Sequence, residues 1–296
     1  MSDVPFGRLY TSFDSAVRRP RLSRLFQRWV LGTKPLARMY WRFAPQFHRT
    51  RRHLMPGYVD SSIDPFELTF VNPGRITRFS HRAYPIWRDR WQLFGAIVDG
   101  EWDRRDTPPV RQYEGLDLSL YLADQFTETP LHRGLRAHFE EGTPWKETTF
   151  IQEVMQSARD ETVDGPVWHQ CHTPADVQER CRLLDRLYET MRERGCVSAR
   201  RMNAELGRPR TFRQVMEHEI LVDIGREGEL LFVTGRHRLS LARLLGLDRI
   251  PIAMVVRHPQ WIDRRKKLLQ TADANSDPVH PDLRHALDVQ LQNVSW

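Results

Sequence analysis

One stretch of the chain, residues 229–246, constrains the fold more than any other. Four consecutive apolar residues are followed by Thr234 and Gly235, and then by leucines at helical spacing. This order predicts a strand, a glycine turn and a short helix. Three basic side chains open the predicted helix: Arg236, His237 and Arg238. Backbone N–H groups in a first helical turn attract anions and Arg grips phosphate oxygens in pairs, so the stretch predicts a phosphate site. A solvated basic helix face is the alternative.

More strands and one long helix are predicted around this stretch. Apolar residues alternate over 220–224 ahead of a glycine-containing turn, which predicts a hairpin with the strand at 230–233. The apolar spacing after Thr173 predicts a helix that ends at Gly195, with Thr173 as its N-cap. The other predicted strands lie at residues 66–71, 93–98 and 251–256.

The segment 219–257 resembles the core of the ParB/sulfiredoxin-like superfamily. Members carry a strand, a Gly-x-His/Arg-Arg sequence that opens a helix, a small residue in that helix and a Leu-Gly-Leu-x-x-Ile-Pro link to another strand. The matching residues here are Gly235 to Arg238, Ala242 and Leu245 to Pro251. The resemblance implies an α+β fold in which a small mixed β-sheet is flanked by helices. It also implies that five residues hold nucleotide phosphates: Thr234, Gly235, Arg236, His237 and Arg238.

The superfamily includes nucleotide-gated chromosome-partition proteins, sulfiredoxins and free-serine kinases. Sulfiredoxins need a cysteine directly before the His-Arg pair, where this chain has Arg236. Partition proteins continue into a helix-turn-helix domain and a dimerisation segment, and the 35 residues after Trp261 are too few for both together. Kinase-like members often carry an acid before the glycine, where this chain has Thr234. The whole chain also resembles large ParB-like proteins with an insertion ahead of the core.

The leading hypothesis is a nucleotide-binding phosphotransferase, kinase-like, that acts on a small-molecule or glycan-type hydroxyl. The resemblance implies that the segment after the first core strand helps to form the active face. Asp103, with Glu101 behind it, is therefore the candidate carboxylate for orienting the acceptor, and ordinary turn acids are the alternative. The expected cofactor is a nucleotide (ATP, ADP or CTP) with Mg²⁺, with no metal site built from protein ligands alone. The competing hypothesis is a non-catalytic, nucleotide-gated binding module.

Charge divides the chain unevenly. Residues 1–60 carry 12 Lys and Arg against three acids, a net charge of +9, so the other 236 residues carry −2 of the total of +7. Apolar residues at helical spacing make this basic arm amphipathic: Leu22, Leu25, Phe26 and Trp29. Three interpretations stay open for the arm: packing on the body, contact with an anionic membrane surface, or contact with nucleic acid.

The expected domain boundaries follow from these segments. The arm spans 1–60, with a linker near 45–62 that is indicated by Pro45 and later turn residues. The core spans 61–262 and includes a helical insertion at about 111–160. Peripheral helices or a tail occupy 263–296.

Composition points to the cytoplasm, with peripheral membrane contact as an option. No apolar run approaches the roughly 20 residues that span a bilayer. The N-terminus lacks the basic start and apolar centre of a signal peptide. Three cysteines in 296 residues argue against a disulfide framework, so a reducing compartment is expected.

Overall fold

The computed structural model describes residues 30–58, 63–82, 90–104, 112–113, 116–117, 122–160, 166–169, 171–207, 210–271 and 280–283. The amphipathic stretch predicted at Leu22–Trp29 lies outside the described residues, and so does most of the tail predicted after Asp263.

Helices and strands alternate along the described chain. The helices are α1 (Lys34–His53), α2 (Arg90–Leu93), α3 (Pro130–Phe139), α4 (Thr149–Ser157), α5 (Pro174–Arg194), α6 (Ala199–Leu206), α7 (Phe212–Met216), α8 (Arg236–Leu244) and α9 (Pro259–Thr271). The strands are β1 (Leu68–Val71), β2 (Arg78–Phe79), β3 (Ala96–Ile97), β4 (Gln112–Tyr113), β5 (Leu116–Asp117), β6 (Ile220–Ile224), β7 (Leu230–Thr234) and β8 (Ile250–Arg257).

Six strands form one mixed sheet. Its order is β1-β8-β6-β7-β2, and β3 pairs with the far end of β8. β6 and β7 are antiparallel neighbours, whereas β6 and β8 are parallel. The expected α+β class, with a mixed sheet flanked by helices, is confirmed. β4 and β5 form a separate hairpin, so the predicted insertion at 111–160 is not purely helical.

Both faces of the sheet are buried. Successive strand residues point to opposite sides, so Val222 belongs to one hydrophobic cluster and Leu221 to the other. Helices α3, α4, α5 and α8 cover the first face, which we call the insertion face. Helices α1, α2 and α7 cover the second, which we call the arm face. Every residue of β8 is buried, as expected for a strand covered on both sides.

The helix predicted after Thr173 is α5, and both of its predicted ends are confirmed. The Thr173 hydroxyl oxygen accepts from the Asp176 N–H at 3.2 Å, and the Asp176 carboxylate accepts from the Thr173 N–H at 3.0 Å. This reciprocal capping box satisfies backbone donors that a helix start leaves free. Gly195 ends the helix at a φ of +70°, in the left-handed region that glycine adopts without strain.

α1 belongs to the folded body rather than to a separate arm. Its Trp41 ring lies 6.0 Å from the Phe212 ring of α7, and Ala44 is buried in the arm-face cluster. The helix continues through Pro45, so the linker predicted at 45–62 is wrong over residues 45–53. Packing on the sheet outweighs the one backbone hydrogen bond that a proline removes. No helix in the described ranges is long and apolar enough to cross a membrane.

Candidate phosphate-binding site

The turn at Gly235 connects β7 to α8 as predicted. Gly235 has a φ of +97°, and a Cβ built on it would lie 3.0 Å from both the Cα and Cγ1 atoms of Ile220. Backbone conformation and available space therefore both require glycine here. No side chain accepts a hydrogen bond at the N-cap of α8, so the protein does not cap this helix start with a side-chain oxygen.

Arg238 is anchored by the protein itself. It is 5% exposed, donates from Nη2 to the His218 carbonyl and lies with Nη1 3.8 Å from a Glu219 carboxylate oxygen. The same carboxylate accepts from the Ala199 and Arg200 N–H groups at 2.8 Å each, at the start of α6. Burial raises the pKa of Glu219, and the Arg238 charge opposes that rise. Arg238 thus joins α8 to α6 while lining the site.

His237 is a neutral group rather than a third cation. Burial, with the charges of Arg180 and Arg236, holds the pKa of His237 well below its usual value. Its ring centroid lies 4.7 Å from that of His169, whose pKa burial also lowers. The Nε2 atom of His237 is shielded from solvent and has no hydrogen-bond partner among the described residues. This nitrogen is therefore a buried polar group that the described residues leave unsatisfied.

These groups surround a small cavity of about 70 Å³. Its lining includes three arginines, Arg90, Arg236 and Arg238, and two acidic residues, Glu217 and Glu219. The volume holds roughly five waters, which is also room for one tetrahedral oxyanion but too little for a nucleoside. The remaining lining residues are His169, Leu187, His218, Thr234, Gly235 and His237. All five residues predicted to hold phosphates, Thr234 to Arg238, therefore meet at one cavity.

Asp103 lies at the opposite end of β7 from Gly235, beside the turn between β6 and β7. It is 2% exposed, and its carboxylate accepts from the Arg226 N–H at 2.6 Å and from Arg226 Nη2 at 2.8 Å. Arg226 belongs to the turn between β6 and β7, whereas Gly235 follows β7, so the length of β7 separates the two places by roughly 20 Å. The structure does not bring Asp103 to the phosphate cavity.

Hydrogen bonding explains the charge state of Asp103. Burial alone would raise the pKa of Asp103, but hydrogen bonds from Arg226 outweigh that effect, so the pKa is lowered. Glu101 accompanies it at the same end, with its side chain 61% exposed and paired with Arg104 and Arg226. Glu101 is therefore also remote from the cavity, in contrast to the expectation that its segment helps to form the active face.

Six cavity residues were not predicted to hold phosphate: Arg90, His169, Leu187, Glu217, His218 and Glu219. A signal for three of them was present. The predicted hairpin pairs the start of β6 with the end of β7, and Leu221 does pair with Thr234. Residues just before β6 must then lie beside residues just after β7, which places 217–219 next to Gly235. Nothing local indicated Arg90 or His169, because they reach the cavity from distant segments.

No group of three or more His, Cys, Asp or Glu residues that could hold a metal ion occurs in the part of the chain that the structure describes. Comparison with protein-family models, with curated proteins and with solved structures gives no match.

Proposed function

We propose that this protein is a nucleotide-binding phosphotransferase whose phosphate site is the cavity at the start of α8. One observation carries the proposal: a helix start without a side-chain cap borders a cavity whose lining includes three arginines. Helix dipole, backbone amides and guanidinium donors all favour a bound oxyanion. The ParB/sulfiredoxin-like resemblance of 219–257 supports a nucleotide as the source of that oxyanion.

The cavity admits a phosphoryl group but not a nucleoside, so the base and sugar would lie outside it. Arg236 and the first amides of α8 would bind phosphate oxygens, with His237 Nε2 as a further contact. Mg²⁺ commonly binds through one or two carboxylates plus substrate phosphates. It would therefore come with the nucleotide rather than occupy a site made by the protein alone.

We nominate Glu217, rather than Asp103, as the carboxylate that orients the acceptor hydroxyl. It lines the cavity and pairs with Arg213 at 3.1 Å, whereas the Glu219 carboxylate already accepts two backbone N–H groups. In the transfer, the acceptor oxygen forms the new P–O bond and the shortened nucleotide leaves with the electrons of the broken one. Glu217 takes the hydroxyl proton.

Nucleotide binding is tested by calorimetry with ATP, ADP, CTP and GTP, each with Mg²⁺. Arg236→Ala should weaken binding at least tenfold because it removes charge-assisted hydrogen bonds, and Arg236→Lys should lose less. The matched control is Arg201→Ala, which removes an exposed helical Arg paired with Glu205. Equal affinities for the wild type and Arg236→Ala, in a variant that keeps its unfolding midpoint, would remove the assignment.

Phosphoryl transfer is tested separately with a labelled nucleotide and a pool of small-molecule and glycan acceptors. Glu217→Gln should lower transfer about 100-fold or more while leaving nucleotide affinity within about twofold, since Gln keeps the shape without the base. A labelled product formed at an undiminished rate by Glu217→Gln would contradict the role of Glu217. Loss of nucleotide affinity in the same variant would contradict it as well, because a base is not needed for binding.

A specific contact favours a second candidate, a non-catalytic module gated by the nucleotide. The Tyr40 hydroxyl of α1 accepts from the Phe212 N–H of α7 at 3.0 Å, and the His48 ring stacks on Phe212 at 5.5 Å. α7 runs directly into Glu217, which lines the cavity. A phosphate bound in the cavity would thus shift α7 and, through it, the position of α1 on the sheet. Phosphate binding would then be coupled to any partner that α1 contacts. Binding of nucleotide with no transfer to any acceptor would favour this candidate.

A further inference from the structure

An apolar stripe runs along the outer surface of α1. It consists of Leu36, Met39, Phe43, Phe47 and Leu54, the last just after the helix, and we call it the α1 stripe. These side chains are between 40% and 79% exposed. Their spacing of three, four, four and seven residues places them on one side of a helix. Six of the nine exposed large apolar residues in the described ranges lie at 36–55, so the exposure is concentrated rather than scattered.

The other side of α1 is fixed on the protein, so the stripe cannot turn inward. Trp41 and His48 pack against Phe212, and Ala44 is buried in the arm-face cluster. Arg52 donates to the Trp91 carbonyl and, at 3.2 Å, to the Tyr58 hydroxyl. These contacts span most of the helix length. The outward direction of the α1 stripe is therefore set by the fold.

Cations flank the α1 stripe on both sides. α1 contains one Lys, five Arg and no acidic residue. With about 100° between successive residues, Arg42 falls on one side of the stripe and Arg51 on the other, and both are exposed. The Arg42 guanidinium lies over the Phe43 ring at 5.9 Å from its centroid. This combination of exposed apolar residues and flanking arginines is typical of helices that lie in a lipid interface.

We propose that the α1 stripe docks flat on an anionic lipid surface. Its apolar side chains would enter the boundary between headgroups and acyl chains, and Arg42 and Arg51 would contact lipid phosphates. Charge argues against two other occupants. A second copy of the chain would bring arginines close to arginines, which repel each other. Residues 1–29 hold six Arg and two Asp, so this segment is also basic and would be repelled in the same way. Nucleic acid would pair with the arginines but would leave the leucine and methionine side chains in water.

Vesicle sedimentation with the full chain tests the proposal, and no nucleotide is needed, so it stands or falls independently of the phosphotransferase. The protein should bind vesicles of phosphatidylcholine with phosphatidylglycerol and not vesicles of phosphatidylcholine alone, with affinity that falls as salt is raised. The double variant Phe43→Ser with Phe47→Ser should bind at least tenfold more weakly. The matched control is Phe70→Ser with Leu206→Ser, which removes two exposed apolar residues elsewhere and should bind like the wild type.

Several outcomes would overturn the proposal. One is the absence of binding to anionic vesicles, and another is equal binding by the stripe variant and the wild type. A third is a stripe variant that converts a dimer to a monomer without any change in vesicle binding. A fourth is tight binding of a single-stranded oligonucleotide by a protein that does not bind vesicles. Since the altered residues are exposed, an unchanged unfolding midpoint will show that the variants are folded.

Discussion

Gly235 shows how one residue can be required twice, once by its backbone and once by its surroundings. Its φ of +97° suits glycine alone, and the space where a Cβ would stand is occupied by Ile220 atoms at 3.0 Å. The Ile220 atoms belong to β6, so β6 packs closely against the turn that starts α8. The close packing of β6 against the start of α8 therefore depends on a residue that has no side chain.

Replacement of Gly235 by alanine should destabilise the protein by about 2–3 kcal/mol, through both backbone strain and the clash with Ile220. Gly142 is a matched control, since it has a φ of +73° but nothing within 4 Å of its absent Cβ. Gly142→Ala should cost about 1 kcal/mol from strain alone. Urea unfolding of both variants gives the comparison, and equal losses would show that the Ile220 contact relaxes freely.

Asp103 should matter for stability rather than for phosphate binding. Asp103→Asn removes the buried charged partner of Arg226, since Asp103 is 2% exposed, and should cost about 3 kcal/mol. Glu101→Gln, which alters the 61% exposed partner of the same Arg226, should change stability by less than about 0.5 kcal/mol. Urea unfolding measures both. An Asp103→Asn protein of normal stability that no longer binds nucleotide would contradict this division of roles.

At the scale of elements, helix α5 packs on the insertion face of the sheet and also borders the cavity. Val177, Leu184 and Leu187 on its buried side belong to the insertion-face cluster, and Leu187 also lines the phosphate cavity. The start of α5 is held by the capping box of Thr173 and Asp176. Loss of this cap would therefore loosen a helix that contributes to both the hydrophobic core and the cavity.

Thr173→Ala should lower the free energy of unfolding by about 1 kcal/mol, because it removes the hydroxyl that accepts from the Asp176 N–H. Thr190→Ala is the control in the same helix. The Thr190 hydroxyl donates to the Arg186 carbonyl, which already belongs to the helix, so this change should be neutral or slightly stabilising. Unfolding followed by circular dichroism distinguishes the two, and an unaffected Thr173→Ala protein would show that the cap contributes nothing.

At the scale of the whole molecule, three buried histidines contribute to the loss of stability in acid. Burial lowers the pKa of His132 to about 4, that of His280 to about 4 and that of His218 to about 3. In each case the unfolded chain binds the proton more readily than the folded one between the folded pKa and about 6.5. The stability that these residues contribute is therefore complete above pH 6.5 and is lost as the pH falls toward 4.

The urea midpoint should accordingly be constant near pH 7.5 and fall steadily from pH 6.5 to 4. His132→Gln should make that fall shallower, because it removes one group that becomes charged only on unfolding. The slope of the unfolding free energy against pH should decrease by the contribution of at most one proton. His172→Gln, at an exposed position, is the surface control. A His132→Gln protein with the wild-type pH profile would show that His132 takes up its proton in the folded state.

Local patterns in the sequence determined the strand, turn and helix around Gly235, both ends of α5 and the β6–β7 hairpin. They could do so because helix caps, glycine turns and apolar periodicity act between residues near each other in the chain. The hairpin also implied that Glu217 and Glu219 lie beside Gly235.

Only the tertiary structure decided that Asp103 pairs with Arg226 at the turn between β6 and β7. It also decided that Arg90 and His169 reach the cavity. It also decided which apolar residues of α1 are buried and which form the α1 stripe. These outcomes depend on how loops from distant segments cross the sheet and on which side of α1 meets α7. No periodicity within a single segment encodes such contacts, because their energy belongs to surfaces that exist only after the layers have packed.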